Sequence, residues 1–140
     1  MKILLAVDGS KFTKKMLAYL STHDEVFGAG NDYTALTVQT PLPPRARAAV
    51  GAEVVNEYYE SEAHKVLAPI ERYLSRQGRN VKSTWKVGAA GETIAKFADA
   101  GKYDLVIMGS HGYGTLGNLV LGSVATQVLA RAKAPVLLVR

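Results

Sequence analysis

Leu105-Val106-Ile107-Met108 has no polar face. A run this short and this apolar reads as a strand buried on both sides, as in a parallel sheet with helices above and below it. The opening Lys2 to Val7, KILLAV, has the same character and is ended by the turn residues Asp8-Gly9-Ser10. Tyr33 to Gln39, the alternating Val81 to Val87 and the closing Val136 to Val139 supply three more strand candidates. Helical patterns fall between them. One is N-capped by Ser10 and turns Phe12, Met16, Tyr19 and Leu20 inward. The others are Glu53 to Gln77, Glu92 to Ala100 (stopped by Gly101) and Ser123 to Lys133, itself N-capped by Ser123. Pro69 predicts a kink or break near Leu67. Asp24 to Asp32 reads as a turn, and Thr40 to Ala52, with Pro41, Pro43 and Pro44, as a loop.

Strands alternating with helices give a parallel sheet joined by right-handed crossovers and covered on both faces. The chain therefore reads as a single doubly wound α/β domain over 1–140, with no repeat or linker. A strand order of 3-2-1-4-5 would set strands one and four side by side. Asp8 and Gly109, at their C-terminal ends, would then flank the switch point where open α/β sheets bind ligands.

Bulk properties exclude several functions. There is no cysteine, hence no disulfide, cysteine metal site or cysteine nucleophile. No apolar run approaches the roughly 20 residues of a membrane span, and the start is too short for a secretory signal, so the cytoplasm is expected. Lys and Arg number 17 against 12 acids, a net charge of +5. The bases are scattered, and no aromatic platform interleaves with them, which disfavours nucleic acid as a partner. His23 and His64 have no second ligand at metal spacing.

The chemistry concentrates after the fourth strand, where Gly109, Gly112, Gly114, Gly117 and Gly122 precede a helix opening at Ser123. Glycines let the backbone come close to a ligand, and free N–H groups at a helix start attract anions. Gly112, Gly114 and Gly117 spell G-x-G-x-x-G, but late in the chain and without the acid of a dinucleotide fold. Gly117 to Ser123 is one lysine short of a P-loop. A third spacing fits: Gly109, two residues, Gly112, nine residues, then Gly122-Ser123.

That spacing, G-x2-G-x9-G-[ST], resembles the ATP-binding motif of the universal stress protein family. The opening ILLAVDGS, the phrase VIMGSHG, the LGSV after it and the closing APVLLVR extend the resemblance over nearly the whole chain. It implies the adenine nucleotide alpha hydrolase-like fold, which has the order 3-2-1-4-5, and a site for ATP, AMP or ADP with Mg2+ as companion ion. It assigns Asp8 to the ribose hydroxyls or adenine edge, and Val38 to a wall beside the ring. Gly109, His111, Gly112, Gly122, Ser123 and Val124 fall around the phosphates. Tyr113 stands where many members carry a base, and Arg45 or Arg47 could replace that charge if the proline loop folded over the site. The resemblance also implies a homodimer through the edge strand Val136 to Val139. With no P-loop lysine and no evident base to activate water, turnover is expected to be slow or absent. A slow ATPase or nucleotidyl transferase, and a nucleotide-free dimeric scaffold, remain the alternatives.

Overall fold

The computed structural model describes residues 1–113 and 120–140. Gly114 and Gly117, expected to loosen the glycine loop, lie outside the described residues. Five parallel strands, β1 (Lys2–Ala6), β2 (Asp32–Gln39), β3 (Asn80–Val87), β4 (Leu105–Gly109) and β5 (Val136–Val139), stand in the order β3-β2-β1-β4-β5. Register places Ala6 opposite Leu36 on one side and Met108 on the other. The order expected from the switch-point geometry is the one found.

Side-chain alternation along β1 explains the layers. Ile3 and Leu5 point into one core, with Met16, Leu17 and Leu20 of α1 (Lys11–Thr22) and Ala63, Leu67, Ile70 and Leu74 of α4 (Ala52–Arg76). Leu4 and Ala6 point into the other, with Ile94 and Ala98 of α5 (Ala90–Ala100) and Ala125 and Val128 of α6 (Ser123–Arg131). Ile3, Leu4 and Leu5 are fully buried. Each contributes about 1.5–3 kcal/mol of transfer free energy, so a strand without a polar face is held from both sides.

Several expected boundaries move. The turn after α1 contains a short helix, α2 (Asp24–Phe27), and the proline-rich loop contains α3 (Pro44–Val50). Pro44 occupies a first-turn position of α3, where its missing N–H costs nothing, and the alanines and arginines that follow are good helix formers. Gly51, at φ 84°, then separates α3 from α4. Of the kink or break expected near Leu67, the break is not found: α4 runs through Pro69 to Arg76. Leu67, Ile70 and Leu74 are buried on either side of the proline, and their packing outweighs the one lost helical hydrogen bond.

Two caps also differ. Ser10 stands at the N-cap of α1 but makes no side-chain cap bond, and its hydroxyl is buried without a partner. Asp8 does the organising instead: Oδ1 accepts from the Ser10 N–H at 2.8 Å and from the Thr13 hydroxyl at 3.0 Å. At α6 the N-cap is Gly122, and Ser123 begins the helix proper. Arg79, unremarked in sequence, is buried and donates to the carbonyls of Phe27 and Leu20 and to Asp24 and Gln77, tying β3 to α1 and α2.

Candidate functional site

The C-terminal ends of β1 and β4 lie side by side, and the chain leaves them in different directions. After β1 it turns into α1 on one face of the sheet. After β4 it passes through the glycine loop into α6 on the other. The cleft between them opens into a cavity of about 270 Å3. Asp8, Val38, Gly109, His111, Gly112, Gly122, Ser123 and Val124 all line it. These eight residues, assigned to the nucleotide site by the resemblance, therefore line one cavity.

Three parts divide the lining. Val38 ends β2, and with Ala90 and Ile94, one turn apart on α5, it makes an apolar wall. Neither α5 residue stood out in sequence, because an alanine and an isoleucine at helical spacing read as core.

The second part is Asp8, which is exposed. Oδ1 is held by Ser10 and Thr13, so the carboxylate has a fixed orientation. Oδ2 lies where a side chain at Gly112 would have to go: a Cβ there would stand 2.8 Å from it. Gly112 is glycine because the loop passes directly over the carboxylate. Gly109 meets a similar limit from α1, since its Cβ would come within 2.6 Å of the Phe12 Cβ.

The third part is the start of α6. Gly122 donates its N–H to the Ser110 carbonyl at 2.8 Å, pinning the helix start to the end of β4. Ser123 and Val124 follow at the cavity with first-turn N–H groups that have no intrahelical acceptor. Their dipoles and the macrodipole of a nine-residue helix favour an anion there. His111 is fixed nearby: its Nδ1 lies 2.8 Å from the Ser110 hydroxyl, and its ring packs 4.9 Å from that of Phe12.

Among the described residues no lysine or arginine lines this cavity. Arg47 does not replace the missing charge. It lies in a different groove, with Pro44, Val55, Tyr59 and Trp85, because α3 folds toward β3 rather than over the cleft. Tyr113 takes an unexpected part: its hydroxyl donates to the Gly9 carbonyl at 2.8 Å and bridges the cleft. Among the described residues no cluster of three or more His, Cys, Asp or Glu could hold a metal by itself. No helix among them is long and apolar enough to cross a membrane.

Known proteins share this frame. The sequence model of the Universal stress protein family matches residues 1–140. A universal stress protein of Thermus aquaticus is 34% identical, with 99% of this chain and 97% of its own length covered. One from Synechocystis sp. is 31% identical over 99% of this chain, which spans only 42% of that relative's length. Among solved structures, a universal stress family protein from Arabidopsis thaliana with AMP bound has a TM-score of 0.71 at 15% identity, covering 99% of this chain and 90% of that one. The universal stress protein from Archaeoglobus fulgidus in complex with dAMP gives 0.66 at 22%, covering 100% and 98%. At such identities the likeness establishes a common fold.

Proposed function

Because this chain belongs to the universal stress protein family, we propose that it binds an adenine nucleotide in the cleft between β1 and β4 and acts as a regulatory homodimer. The carrying observation is the juxtaposition of Asp8 Oδ2, the bare backbone of Gly112 and the start of α6 around one cavity. A carboxylate oxygen accepts ribose hydroxyls, the apolar wall of Val38 and Ile94 takes the ring, and the amides of Ser123 and Val124 meet phosphate oxygens. The AMP and dAMP held by two proteins of this fold support the ligand class.

ATP is the form favoured by the glycine spacing, and its charge shapes the rest of the reading. With no cationic side chain in the described lining, and none in the sequence of residues 114–119, backbone dipoles and a divalent cation must balance the phosphates. Mg2+ commonly binds through substrate phosphates with few protein ligands, and the Ser123 hydroxyl is an oxygen ligand at the cavity. Turnover is expected to be slow or absent, since the glycine loop lacks a P-loop lysine. Residues 1–140 work as one unit in the cytoplasm, a reducing compartment that suits a cysteine-free chain.

The dimer forms through β5. Pro135 and Val139 give their carbonyls to β4, so Val136 and Leu138 present theirs outward along an open edge. An apolar edge of this kind calls for a strand partner.

The test is the nucleotide content of the purified protein, released by denaturation and identified by chromatography and mass spectrometry. An adenine nucleotide near one per chain is expected. A blank, with no calorimetric binding of ATP in the presence of Mg2+, would overturn the reading.

A further inference from the structure

A second and larger cavity, about 790 Å3, opens on the other face of the sheet, between α1 and α4. It shares only Asp8, Val38 and Tyr113 with the nucleotide cleft, and the Tyr113–Gly9 hydrogen bond stands between the two chambers. Its volume falls within the range of small-molecule sites, and Leu17, Val66 and Ile70 give it an aliphatic wall among polar neighbours.

Two polar features single it out from an ordinary groove. Thr37 lines it and is only 3% exposed, yet its hydroxyl makes no hydrogen bond to a described residue. A hydroxyl at the cavity wall without a protein partner is available to a ligand. The charges at the rim, two acids and two bases, are not all paired. Glu62 and Lys65 pair with each other at 2.9 Å. Asp8 spends Oδ1 on Ser10 and Thr13 and holds Oδ2 toward Gly112, in the other chamber. Of the two lysines on this cavity, Lys14 is the one with no carboxylate partner among the described residues. It sits in the first turns of α1, where the helix dipole adds to its positive field.

We propose that this chamber binds a small organic carboxylate with an apolar body. The Lys14 ammonium and the Thr37 hydroxyl take its head group, and its hydrocarbon lies along Leu17, Val66 and Ile70. The site does not depend on what the nucleotide cleft holds, and the two proposals fail separately.

The test is titration of the protein as purified with octanoate and, separately, with 1-octanol, followed through backbone amide shifts. Saturable octanoate shifts centred on Leu17, Thr37, Val66 and Ile70 are expected, with octanoate binding about tenfold tighter than octanol. Lys14→Ala should abolish that preference, Lys14→Arg should retain it, and Thr37→Val should weaken octanoate several-fold. Three results would each overturn the proposal: no saturation in the millimolar range, shifts centred on Ala90 and Ile94, or a charge preference that survives Lys14→Ala.

Discussion

Ser10 follows the first turn in the place where a serine ordinarily caps a helix, and its hydroxyl bonds to nothing. An N-cap serine replaced by alanine usually costs about 1 kcal/mol. Here the replacement removes a buried, unsatisfied oxygen instead. Ser10→Ala is therefore expected to leave stability unchanged or raise it by up to about 1 kcal/mol, read from urea denaturation; a loss of 1 kcal/mol or more would restore the capping role. Gly112 makes the converse case, since its value lies in the atom it lacks. Gly112→Ala puts a methyl group 2.8 Å from Asp8 Oδ2, and the carboxylate must give up its hold on Ser10 and Thr13 to swing aside. The expected result is a loss of nucleotide affinity of about tenfold or more with the melting temperature within a few degrees, because the displaced group is exposed. Unchanged calorimetric affinity would remove Asp8 from the ribose contact.

Whole elements were more legible than their ends. The apolar runs at β1 and β4 could only be central strands, and the 3.6-residue stripe of α4 was visible along its length. The helix at Pro44 and the continuity of α4 at Pro69 were not legible, for one physical reason. Its local penalty is plain in sequence, whereas what offsets it is not. At Pro44 the offset is position, in the first turn of α3. At Pro69 it is burial, supplied by Leu67, Ile70 and Leu74 against the sheet. The lining of the candidate cleft was legible because the family resemblance and the glycine spacing after β4 place those residues at strand ends. Ile94, Thr37 and Arg79 were not, since an ordinary residue takes on a role only once the chain has folded around it. Pro69 still lacks the N–H that would return to the Lys65 carbonyl. Pro69→Ala should therefore stabilise the protein by about 1–3 kcal/mol in chemical denaturation. A destabilised variant would show that the proline ring's own packing outweighs the missing hydrogen bond.

For the molecule as a whole, the dimer proposal is tested at the outward-facing backbone of β5. Leu138→Pro removes an N–H that points away from β4 and spares the carbonyls of Pro135 and Val139 that hold the strand to the sheet. The variant is expected to stay folded by circular dichroism and to elute as a monomer in light-scattering chromatography. A folded Leu138→Pro dimer would place the interface elsewhere.

The two edges of the sheet are unlike. β5 is apolar and bare, while β3, at the opposite edge, carries exposed Lys82 and Lys86. Two copies joined through β5 would form one continuous sheet, and each outer margin would be a lysine-bearing β3. Like charges meeting there would repel a third copy, so growth is self-terminating. A fold built from stackable strands thus carries its own stop signal, and raising the protein's concentration would fill dimers rather than seed fibres.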